Sequence, residues 1–172
     1  MAFIPYENIN YETELKFHEI IKILNSIIEP RKIIRILSIF NDNLKPYEGE
    51  INNNKFKICK IIRYRNSFNP IIYGTINNEN NVTKINLKMK LHSFVKIFMI
   101  IWLGFTCITF LTGLIGLILN TEAKYSLPFG IGMMVFGYLL MTFGFKYESK
   151  KSKEYFKTLF KAKIIIKNAN ST

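Results

Sequence analysis

Residues 63–70 read RYRNSFNP, and their types are suited to holding an anion. A guanidinium is planar and forks onto carboxylate or phosphate through parallel hydrogen bonds. Arg63 and Arg65 are two residues apart, so in a strand they share a face. Asn66 joins them as a candidate, and Lys55, Lys57, Lys88 and Lys90 flank the stretch in sequence. Together these seven side chains could bind anionic lipid headgroups or an acidic strip on a membrane partner. The same stretch also reads as a turn. Asn66 and Ser67 are turn formers that bond nearby backbone, Pro70 biases Asn69 to extended geometry, and Tyr64 and Phe68 would pack on a sheet edge.

Candidates for catalysis are sparse. His18 falls on a helix face, His92 sits beside lysines, and Ser67 has no histidine or acid near it in sequence. No G-x-S-x-G, Walker A, G-x-G-x-x-G or H-E-x-x-H pattern occurs. Two cysteines, Cys59 and Cys107, and two histidines make a poor metal inventory. The expectation is a non-enzymatic protein with no cofactor and no metal.

The elements that must position the basic residues follow from charge and period. Residues 1–96 carry 15 Lys/Arg against 9 Asp/Glu, and residues 146–172 carry 8 Lys against 2 Glu. Between them, residues 97–119 and 127–145 carry no charge at all. At 1.5 Å per residue the first of these reaches roughly 34 Å, enough to cross a ~30 Å hydrocarbon core. The second is shorter, with Ser126 and Pro128 suited to its start. Only seven residues join the two, so they must form an antiparallel hairpin. Glu122 and Lys124 cancel in that link, while Lys88, Lys90 and Lys96 precede the first span and Lys146, Lys150, Lys151 and Lys153 follow the second. The positive-inside rule puts both ends in the cytoplasm, in the cell inner membrane. Lysines beside spans account for the basic charge better than nucleic acid does. Glycines in both runs allow close helix approach within the hairpin. No ionisable group lies in either run, which argues against a proton or ion pathway.

The fold class read from these patterns is α+β. Residues 12–30 form an amphipathic helix ended by Pro30, and residues 31–40 read as either a short helix or a strand. After Pro46 the period becomes two. YEGEI, KFKICKII, PIIYGTI and TKINLKMKLH predict a four-stranded antiparallel β-meander with asparagine-rich turns. In the last strand Ile85, Leu87, Met89 and Leu91 point one way and Lys84, Asn86, Lys88 and Lys90 the other. The N-terminal helix is the natural cover for the apolar face. After the second span a C-terminal amphipathic helix follows, with Tyr155, Phe156, Leu159 and Phe160 as its stripe. It could lie on headgroups or pack on the sheet. The organisation is thus a cytoplasmic module over 1–92, a transmembrane hairpin over 93–148 and a basic helix and tail over 149–172.

The stretch YRNSFNP, followed by LH entering the first span, resembles a group of small bacterial two-span membrane proteins. The matching positions are Tyr64, Arg65, Asn66, Ser67, Phe68 and Pro70, then Leu91 and His92. Lys60 and Ser93 depart from the pattern, where an arginine and a proline would be expected. The resemblance spans about residues 45–148 and implies membrane placement without an activity. Three roles remain open: a basic module binding headgroups or a membrane partner, as in immunity to a membrane-active peptide; an accessory subunit of a transporter or envelope complex; and a lipid-modifying enzyme, which would need a pocket joining His92 to Ser67.

Overall fold

The computed structural model describes residues 4–30, 45–62, 64, 66–79 and 82–165. Residues 31–40 and the two arginines Arg63 and Arg65 lie outside the described residues. The chain runs β1 (Tyr6–Thr13), α1 (Phe17–Ile27), β2 (Ile28–Glu29), β3 (Tyr47–Asn52), β4 (Lys55–Lys60), β5 (Ile71–Glu79) and β6 (Val82–Lys90). It continues with α2 (Ser93–Ile118), a short 3₁₀ segment (Glu122–Tyr125), α3 (Ser126–Leu159) and β7 (Lys163–Ile165).

The fold is mixed α+β, and the expected meander is present as β3 to β6, antiparallel throughout. It turns between β3 and β4 at Asn53, whose positive φ of 52° asparagine tolerates. The sheet is larger than four strands. Seven are ordered β2-β3-β4-β5-β6-β1-β7. The first addition, β1, pairs with β6 along its own whole length, from Tyr6 opposite Lys90 to Thr13 opposite Thr83. Its sequence YENINYET buries only Ile9, Tyr11 and Thr13. So few apolar residues among asparagines leave a weak period-two signal. Because β1 takes Glu12 and Thr13, the helix begins later than its pattern suggested, at Phe17. The Glu19 carboxylate starts it by accepting from the Lys16 backbone N–H at 2.7 Å.

One sheet face carries the core. Ile9 and Tyr11 of β1, Phe56 and Ile58 of β4, Ile72 and Ile76 of β5, and Ile85, Leu87 and Met89 of β6 are buried together. The expected cover, α1, contributes Ile20, Leu24 and Ile27. The other cover is the end of α3. This helix is 34 residues long, about 51 Å at 1.5 Å per residue. Nothing breaks it where the uncharged run stops at Phe145, since helix formers and no proline follow. Its last turns bury Phe145, Ser149, Ser152, Phe156 and Phe160. The C-terminal stripe therefore packs on the sheet, the second of the two placements the sequence allowed. The helix ends with Lys161 at φ 47° and a bond from Ala162 N–H to Lys157 O at 3.0 Å, a Schellman motif that turns the chain back into β7 beside β1.

Helices α2 and α3 are each long and apolar enough to cross a membrane, and only 17% of each apolar window is buried inside the molecule. They lie side by side on glycines. A Cβ at Gly113 would sit 2.5 Å from the Leu127 backbone, and one at Gly130 would sit 2.8 Å from that of Phe110. Ser126 does not cap α3 with its side chain; its hydroxyl donates to Thr109 O and Ala123 O.

Candidate functional site

Of the seven candidate residues, the structure brings four together. Strand parity puts Lys55, Lys57, Lys88 and Lys90 on the sheet face opposite the core. The register places Lys57, Tyr73 and Lys88 in one row across β4, β5 and β6. The next row towards α2 holds Ile71, Lys90 and Tyr6. All four lysines line one open groove of about 400 Å³, with Tyr73 on its floor and Glu50 and Asn52 at its rim. Tyr73 organises the charges. The Lys57 ammonium is 5.8 Å and that of Lys90 5.9 Å from its ring centroid, and Lys90 is also 5.7 Å from the Tyr6 ring. Ammonium groups within about 6 Å of an aromatic face are attracted to it. These tyrosines were missed in the sequence because their partners are cross-strand neighbours, not sequence neighbours.

Asn66 does not join the lysines. It turns to the other side, towards α3. Its side-chain amide donates to Glu148 Oε1 at 3.4 Å and to Gly144 O at 3.5 Å, and its own Oδ1 accepts from Phe68 N–H at 3.0 Å. Tyr64 donates its hydroxyl to Glu148 Oε1. Phe68 lies on Gly144, where a Cβ would meet its ring at 2.8 Å. So Tyr64 and Phe68 dock on α3 rather than on a sheet edge. Residues 66–69 form a turn, closed by Asn69 N–H to Asn66 O at 3.2 Å, and with Tyr64 this turn clasps a helix. Arg63 and Arg65 lie outside the described residues.

The group being clasped is Glu148, which has no solvent exposure. The Lys60 ammonium stands 3.7 Å from its other oxygen. Burial first, then the bond to Glu148, pushes the Tyr64 phenol above its ordinary value, so it remains a donor. Nearby, Tyr47, Ser149 and Ser152 are buried, and their hydroxyls have no hydrogen-bond partner among the described residues. Burial raises the Tyr47 phenol strongly; Ser152 tempers the rise without reaching full hydrogen-bond geometry. The sequence held one clue to this cluster: Glu148 is a lone acid amid lysines where the uncharged run ends.

His92 starts α2, with its Nδ1 accepting from Phe94 N–H at 3.2 Å. The cavity it lines, about 380 Å³, includes Glu48, Lys57, Cys59 and Ile71 but not Ser67. Ser67 is exposed in the clasp, so the pocket that a lipid-modifying enzyme would need is not formed by these two residues. Among the described residues, no group of three or more His, Cys, Asp and Glu side chains could hold a metal ion. No protein-family model, curated protein or solved structure matches the chain.

Proposed function

We propose that this chain is a non-enzymatic integral membrane protein that offers a basic sheet face to an acidic partner held at the same membrane. The observation carrying the reading is the row structure of Lys55, Lys57, Lys88 and Lys90 on the face opposite the core. Membrane residence is supported by the surface of α2 and α3. Phe94, Ile97, Ile101, Phe105 and Ile108 on α2 are exposed, as are Phe129, Phe136 and Phe143 on α3. Apolar surface this continuous calls for an apolar surrounding. The lysines at Lys96, Lys146, Lys150 and Lys151 favour the cytoplasmic side for the module.

The partner is favoured over the lipid surface by the direction of the sheet. Beyond Phe145, α3 climbs the core face. Glu148 meets Lys60 at the end of β4, the Lys153 carbonyl accepts from Tyr11, and the Phe160 carbonyl accepts from Thr13 at the far end of β1. The strands then rise away from the spans, and the lysine face looks sideways along the membrane. Lys90 is three residues from the start of α2, Lys57 and Lys88 stand about 7 Å beyond it, and Lys55 about 13 Å beyond it. Screening over roughly 8 Å leaves headgroups little hold on Lys55. A protein lying against the face meets all four lysines, as an accessory subunit of a membrane complex would.

The test uses the full chain in neutral-lipid nanodiscs and a fluorescent oligoglutamate peptide as probe. Lys57→Glu with Lys88→Glu should weaken binding about tenfold. Equal weakening by Lys22→Glu with Lys157→Glu, exposed lysines away from the face, would leave only net charge and remove the reading.

A further inference from the structure

A second groove, of about 520 Å³, opens on the other side of the molecule, between α3 and the start of β3. Lys60, Lys150 and Lys151 line it together with Tyr47, Tyr147 and Tyr155. Three features set it apart from a solvated surface. First, its level: Tyr147 comes two residues after Phe145, the last residue of the uncharged run, where aromatic side chains favour the headgroup zone. Second, its charge. The Lys151 ammonium is held 4.1 Å from the Tyr147 ring centroid and 5.8 Å from that of Tyr64, which fixes a cation at the mouth. The acid on its wall, Glu154, stands one helical turn beyond Lys150, away from the span. Third, its continuation. Phe136, Leu140, Phe143 and Tyr147 are exposed and recur at three- and four-residue steps, so they form one stripe of α3 that leads up to Lys151.

We infer that this groove is a binding site for one anionic phospholipid, with its phosphate at Lys150 and Lys151, beside Lys60 whose ammonium faces Glu148, and an acyl chain along the Phe136–Tyr147 stripe. The inference rests on the reading that α3 spans the bilayer. The site differs from the lysine face in both geometry and chemistry. In the lysine face the cations stand on strands β4 and β6 with Tyr73 between them. Here the cationic groups cap an apolar track, the layout of a lipid molecule in a leaflet. A bare phosphate would use the lysines and leave the track empty.

The experiment is native mass spectrometry of the full chain released from bilayers containing equal phosphatidylglycerol and phosphatidylcholine. The wild-type chain should retain one phosphatidylglycerol with about tenfold preference. Lys150→Gln with Lys151→Gln changes two exposed residues and should abolish the preference, while Lys88→Gln with Lys90→Gln should leave it intact. Glycerol phosphate, with the same anion and no chain, should not displace the lipid. Equal retention of the two lipids, equal loss in both variants, or displacement by glycerol phosphate would each overturn the site. Alkaline carbonate extraction separates the two levels. Release of the chain from membranes overturns the spanning reading and the site with it. A chain that stays embedded yet shows no lipid preference overturns the site alone.

Discussion

Glu148 shows how one residue can set the junction between two parts of a chain. A carboxylate without solvent is costly unless charge and hydrogen bonds meet it, and here Tyr64, Asn66 and Lys60 do so. Asn66 serves twice, holding its own turn and reaching the carboxylate. Asn66→Ala should therefore cost about 1–3 kcal/mol, read by thermal unfolding of the full chain in detergent; an unchanged midpoint would mean the clasp is ornamental. Tyr47 behaves in the opposite sense. Its buried hydroxyl has no partner among the described residues, so Tyr47→Phe should leave stability unchanged or raise it by about 1 kcal/mol. Its pH dependence has a definite sign. The folded phenol is raised above its ordinary 10.0, chiefly by burial. Above that pH the unfolded chain loses its proton first, and stability falls as pH rises. Below it the group contributes no slope. Tyr47→Phe should flatten this alkaline limb in part, leaving the share due to Tyr11, Tyr64 and Tyr155, whose phenols burial raises in the same direction. An unaltered limb in the variant would assign the loss elsewhere.

Among the elements, α2 and α3 illustrate how little a glycine count says until the neighbours are known. Gly113 and Gly104 lie on the same helix. At Gly113 the facing Leu127 backbone leaves no room for a methyl group, while at Gly104 nothing lies within 4 Å. Gly113→Ala should push the helices apart and cost about 1–3 kcal/mol, whereas Gly104→Ala should cost nothing measurable, both followed by thermal unfolding in detergent. Equal effects would contradict the close approach. The junction between α3 and the sheet is of another kind. An unbroken helix carries side chains from the apolar run directly onto the core face, so displacement of its upper part moves Glu148, Phe156 and Phe160 with it.

For the whole molecule, pairing of the two ends matters most. Asn10 of β1 lies opposite Ile165 of β7, so the N-terminal and C-terminal strands belong to one sheet. Both must then lie on the same side of any membrane the hairpin crosses. Reporters fused at the two ends should read cytoplasmic, and one near Lys124 should read the opposite side; a split result at the ends would contradict the sheet. The same pairing implies that residues 1–92 do not fold alone. They lack Phe145, Phe156 and Phe160, which complete the core, and they lack β7. Expressed as a fragment they should show no cooperative unfolding transition.

The sequence by itself determined what depends on local period and charge. Strict alternation over residues 84–91 set the buried and lysine-bearing faces of β6, the asparagine turn after β3 set the meander, and two uncharged runs joined by seven residues set the hairpin. Opposing faces of adjacent strands follow from parity, so the grouping of Lys55, Lys57, Lys88 and Lys90 was legible. Tertiary structure alone decided the rest. Tyr11 bonds to Lys153, 142 residues away, and Thr13 to Phe160, 147 away. No periodicity reports a partner at that distance. For the same reason Asn66 read as a companion of the lysines, although the chain folds it to the opposite side, onto a helix encoded some eighty residues later.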